Sequence, residues 1–151
     1  MTTTNRETVR DALAVLLEAA LVGSGKPAQA FYGYPVGDFG ALSPVVTLAS
    51  AGSSRKRLTV SDLERATLRF DVHVFVLYTD KADWNEDDAE DALDLIEKAV
   101  YEVVGNTANQ AGANPWTILE YDDAMTVVDW TEIGGHPYRY EIIPLRVTVG
   151  S

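Results

Sequence analysis

The 151-residue chain contains no cysteine. That excludes disulfides and thiolate nucleophiles, removes most zinc sites, and leaves the redox compartment open. Basic residues are also scarce, with 12 Lys and Arg against 23 Asp and Glu, for a formal charge of -11 and a pI near 4.4. So acidic a surface repels phosphate backbones, whose binding draws on clustered cations to release counterions. Nucleic acid is therefore not an expected ligand. Long apolar runs are missing too, since nowhere do about eighteen apolar residues follow one another. The N-terminal MTTTNRETVRDALAVLL lacks the charged region and uninterrupted apolar stretch of an export signal. Neither a membrane span nor a secretory leader is expected. What is abundant is core material: 46% of residues are hydrophobic and 9% aromatic, which predicts one folded domain over residues 1–151.

Thr4-Asn5-Arg6-Glu7 has the form of a capping box. Val9, Leu13, Leu16 and Ala20 then recur at helical spacing as far as Gly23, predicting a helix over about residues 5–22. Gly and Pro break the next stretch, whose Phe31, Tyr32 and Tyr34 suggest extended chain with docked aromatics. SPVVTLAS (43–50) reads as a strand and AGSSRKRLTVSDLE (51–64) as a polar loop. In TLRFDVHVFVLY (67–78), alternation places Leu68, Phe70, Val72, Val74, Val76 and Tyr78 on one face of a central strand. A second helix, capped by Asn85, is predicted over about 86–104 from the apolar stripe Ala89, Leu93, Ile96, Val100 and Val103. VGNTANQAGANP reads as a flexible connector. WTILEYDD, MTVVDWTEIG and YRYEIIPLRVTVG read as strands, with a turn at Gly134-Gly135-His136-Pro137. Pro144 lacks an amide donor, so the last strand is expected at an edge or broken there. The order of elements predicts an α+β fold, a mostly antiparallel sheet with two main helices packed on one face.

Candidate sites are few. DWNEDDAEDALDLIE (83–97) carries eight carboxylates and no cation. Asp83, Asn85 and Asp87 match the first ligand positions of a calcium loop, but Asp88 stands where the loop needs Gly and Asp94 where it needs Glu. The carboxylates are read instead as the solvated face of the second helix, with acids near its positive end. GSGK (23–26) lacks the rest of a phosphate loop. His73 beside Asp71, and His136 in its turn, are the acid–base candidates, and no nucleophile motif accompanies them. No metal or cofactor is expected. Ser53-Ser54-Arg55-Lys56-Arg57 stands out, a basic run in an acidic chain and a docking point for an acidic neighbour. Trp84, Trp116, Trp130, Tyr138 and Tyr140 are read as core residues or, on a second sheet face, as interface anchors.

Taken in order, VRDALAVLLEAAL, FYGYPVGDFG with SPVVTLAS, RFDVHVFVLYTD, DWNEDDAEDALDLIEKAV and IGGHPYRYEIIPLRVTV resemble the tail terminator, or tail-completion, proteins of long-tailed bacteriophages. The resemblance covers nearly the whole chain as an order of elements. It implies a structural virion protein without enzymatic activity, made in the host cytoplasm. Such proteins form a homo-oligomeric ring, commonly a hexamer, that caps the head-proximal end of the tail tube. The implied partners are the tail tube protein and a head-completion or neck protein, with DNA passing through the channel unbound. A ring needs a head-to-tail contact, and the expected one joins Arg55, Lys56 and Arg57 to the helix acids Glu86, Asp87, Glu90, Asp91 and Asp94. The alternatives are a neck or head-tail connector subunit and, from another class, a small acidic enzyme or ligand-binding domain using His73 and Asp71.

Overall fold

Asn5 starts the first helix, α1 (Arg6–Leu21), where its side chain accepts the Glu7 amide at 2.8 Å. A short polar side chain does this best, because first-turn amides have no partner within the helix. The computed structural model describes residues 5–40, 42–57, 64–78, 86–110, 114–122 and 125–150. Thr4 and Asn85, the expected caps, lie outside the described residues, as do Asp83 and Trp84. Val9, Leu13, Leu17 and Leu21 form the buried stripe of α1, while Leu16 and Ala20, expected in it, pack at its margin.

Beyond α1 the chain enters a mixed sheet. Its strands are β1 (Ala30–Tyr32), β2 (Val45–Arg57), β3 (Glu64–Leu77), β4 (Ile118–Tyr121), β5 (Val127–Ile133) and β6 (His136–Gly150), and helix α2 (Glu86–Gly105) follows β3. The spatial order is β1-β2-β3-β6-β4, with β5 also paired to β6. The β1–β2 pair is parallel and the other pairs are antiparallel. β3 is central, as its alternating pattern predicts. β6 is neither at an edge nor broken, contrary to the expectation from Pro144. Pro144 accepts the Asp122 amide at 3.1 Å, so its backbone groups face the interval where β4 has ended and β5 has not begun. The missing donor therefore costs no ladder bond.

Both helices pack on one face. Val46 and Leu48 of β2, the even residues Ala66 to Val76 of β3, and Ile143, Leu145, Val147 and Val149 of β6 join the helix stripes in one core. The opposite face is covered at one end by the chain's own Gly- and Pro-rich segment. There Phe39 packs with Val45, Phe75 and Tyr138, its ring 4.9 Å from Phe75 and edge-on to Tyr138 at 5.6 Å. Phe75 and Leu77, apolar on this second face, are closed over by that segment, so β3 is buried on both sides at its end. Gly134 and Gly135, at φ 58° and 80°, make the tight β5–β6 turn. The connector after α2 begins as a hydrogen-bonded turn, in which the Asn109 and Gln110 side chains donate to the Val103 and Val104 carbonyls at the end of α2.

Candidate assembly surface

Ser53-Ser54-Arg55-Lys56-Arg57 is strand, not loop. A bulge between Ser50 and Gly52, where Gly52 takes φ 135°, lets β2 run on against β3 to the pair Arg57 and Glu64. The residues look loop-like because both faces of this half of β2 are exposed, so no apolar alternation is required. Register divides the cations between the faces. Arg55 opposite Ala66 and Arg57 opposite Glu64 lie on the helix face, whereas Lys56 lies opposite Arg65 on the other. Arg6 and Arg10 of α1 reach the same side, donating to Ser53 Oγ at 3.2 Å and Ser50 Oγ at 3.3 Å. Six of the 12 cations thus gather along the outer half of β2.

The predicted acids stand across the sheet. Glu90, Asp91 and Asp94 of α2 are exposed; Glu86 and Asp87 form the first turn of α2, their side chains outside the described residues. Glu90 accepts from Arg139 Nε of β6 at 2.8 Å, and the Arg139 guanidinium lies 4.6 Å from the Trp130 ring centroid. Trp130 in turn meets Tyr78 edge-on at 4.7 Å. This chain of contacts sets the front of α2 on the β5 side of the sheet, where Met125, Val127, Val128 and Trp130 are exposed, the methionine by 88%. The basic and acidic candidates therefore do not meet within one chain. They occupy opposite lateral sides, separated by β3 and β6. Of the described aromatic candidates, Trp116 and Tyr138 are core, and Trp130 is exposed at this side.

One site escaped the sequence reading. Glu141 of β6 is 2% exposed and faces α2 in the same parity as Ile143, Leu145, Val147 and Val149. Burial first, and then the hydrogen bond and negative charge of Glu97, push its carboxyl up to about 8, and Asp94 adds to the effect. Glu141 thus holds a proton at neutral pH, hydrogen-bonded toward Glu97. Thr126 also bonds the carboxyl, while Oε2 has no partner among the described residues. Tyr101 is pushed up to about 12, by burial and then by its own hydrogen bond to Glu97. The missed signal was parity: a carboxylate in register with four inward aliphatics must be buried with them.

The acid–base candidate is less supported. His73 lies half-buried on the face opposite the helices, its ring stacked on Phe75 at 6.1 Å. Burial lowers its pKa, with Asp71 opposing the shift, so the site favours the neutral imidazole. His136 is exposed at the start of β6. Among the described residues no His, Asp and Glu group has the makings of a metal site, and no described helix is long and apolar enough to cross a membrane. Neither a family model nor a curated protein sequence matches the chain.

Proposed function

We propose that this chain is a tail terminator of a long-tailed bacteriophage, a ring-forming subunit that covers the last ring of the tail tube, ends its growth and offers a surface to a head-completion or neck protein. The reading rests on the ordered resemblance described above. The structural observation that carries it is the lateral polarity of the molecule, with cations gathered along the outer half of β2 and acids above the apolar edge of β5. A subunit whose two sides differ in this way is suited to join its copies head to tail, the type of contact that closes into a ring when the rotation between copies closes. An α+β plan with one face of the sheet given to two helices leaves these lateral sides, among the described residues, uncovered by another strand or helix. The excess of acid left over keeps DNA from adhering as it passes.

Two measurements test this. Purified protein, alone or with tail tube protein, gives ring-shaped particles in negative stain and a mass several times 16.5 kDa by light scattering. Added to polymerising tube protein, it shortens the tubes and decorates one end. Tubes of unaltered length with bare ends refute the assignment.

A further inference from the structure

The sheet treats its edges unequally. β1 covers the start of β2 through the pairs Ala30 with Val45 to Tyr32 with Thr47. The outer edge of β4 is closed by a side chain, since Gln110 Oε1 accepts the Leu119 amide at 2.8 Å and Gln110 Nε2 donates to the Leu119 carbonyl at 3.0 Å. Saturating an edge in this way is a standard defence against strand addition. Among the described residues, two longer stretches have a strand on one side alone: β2 from Ser50 to Arg57, and β5 from Val127 to Ile133. They are of similar length. The Trp130 amide of β5 is held by the carboxylate of the adjacent Asp129 at 2.8 Å, a local bond that an incoming strand's carbonyl can replace.

We propose that β5 of one copy adds to the outer half of β2 of the next, so that the sheet continues from subunit to subunit. This rests on the ring reading above and names its contact. Charge supports it face by face. If the sheet continues, helix face must meet helix face. On that face β2 offers Arg55 and Arg57, with Arg6 and Arg10 of α1 above; β5 offers Glu132 and Trp130, with Glu90 and Asp94 of α2 above. On the other face Lys56 and Arg65 meet Asp129. Lys56 and Arg65 are directly opposed like charges, an unfavourable cross-strand pair within one subunit that a neighbouring carboxylate relieves. The pairing also covers Val127, Val128 and Trp130, an exposed apolar edge of the sort that invites aggregation when left open.

The absence of cysteine makes the test clean. Ser54→Cys is mixed with Thr131→Cys, Asp129→Cys or Val128→Cys protein and oxidised. Residues 54, 129 and 131 lie on the face opposite the helices, residue 128 on the helix face. Antiparallel addition that sets Lys56 against Asp129 sets Ser54 against Thr131, so cross-linked heterodimers are expected with 131 or the adjacent 129 and not with 128, because disulfides require closely spaced, facing β-carbons. A second arm reverses Lys56 and Arg65 to Glu, which is expected to abolish assembly, and adds Asp129→Lys, which is expected to restore it. Rings that form without these cross-links overturn the strand addition and leave the tail reading standing. Cross-links in a protein that leaves tube length unchanged uphold the contact and sink the tail reading. A monomer that gives no cross-link at ring-forming concentrations overturns the contact.

Discussion

Glu141→Gln tests the reading of the interior most directly. In the folded chain the carboxyl is pushed up to about 8 by burial and by Glu97, whereas unfolding returns it to the ordinary value of about 4.5. Below the lower value both states hold the proton and the site costs nothing. As pH rises the unfolded chain loses its proton while the folded chain keeps it, so stability falls by roughly 1.4 kcal/mol per pH unit until the folded carboxyl also ionises. From about pH 4.5 to pH 8 the loss is on the order of 4 kcal/mol, a large share of a domain's total stability. Gln keeps the shape and the hydrogen bond to Glu97 and cannot ionise, so the variant is expected to match the wild type near pH 4.5 and to exceed it progressively toward pH 8. Urea unfolding followed by tryptophan fluorescence at half-unit pH intervals measures the difference, and taking the difference cancels the titration of the acids remote from Glu141. Parallel stability curves would refute the buried, protonated carboxyl.

The other expectations are simpler. Gly134→Ala places a β-carbon 2.5 Å from Asp38 Oδ1 at a φ of 58°; the strain and the displaced carboxylate should cost about 2 kcal/mol, read as a lowered urea midpoint with unchanged slope. Gln110→Ala strands the Leu119 amide and two carbonyls, costing about 1–3 kcal/mol, and opens the β4 edge, so scattering from the folded protein should rise with concentration. Assembly should slow as NaCl is raised, because the flanking charges are exposed and screened beyond about 10 Å at 0.1 M. The assembled ring should outlast the same salt, since the main-chain bonds and apolar contacts of the strand pair are not screened; stopped-flow scattering separates the two rates.

How legible the fold was depended on how many sides of each element are buried. α2 and β3 could be read closely because each presents a buried stripe against a polar remainder, and Ala89, Leu93, Ile96 and Val100 are all buried as their spacing requires. The outer half of β2 could not, since a strand exposed on both faces has no alternation and its Ser, Arg and Lys look like loop. Pro144 misled because its cost depends on which neighbour its nitrogen faces, and sequence does not say that β4 and β5 leave a gap there. Phe75 and Leu77 were apolar for a reason internal to the chain, the segment around Phe39 that folds over them. Of the candidate site, the basic run and the helix acids were visible as charge, but their placement on opposite lateral sides emerges only once the strand order is known.

That placement has a consequence for specificity. Two copies approaching through their β2 edges would bring Lys56 and Arg65 against the same pair, and two approaching through β5 would oppose Asp129 and Glu132 with no cation of either edge between them. Like charges directly opposed across strands are destabilising, so both two-fold dimers are disfavoured and the mixed contact alone is complementary. A contact of that type propagates until geometry closes it. With every subunit carrying a net charge of -11, repulsion between stacked rings or open filaments grows with each copy added, whereas within a ring it is offset at every joint by the pairing of β2 cations with β5 and α2 acids. In the proposed ring charge would thus select the joint and also limit the assembly, and neutralising the acids of α2 that stand clear of the joint should favour stacked rings over single ones without changing the joint itself.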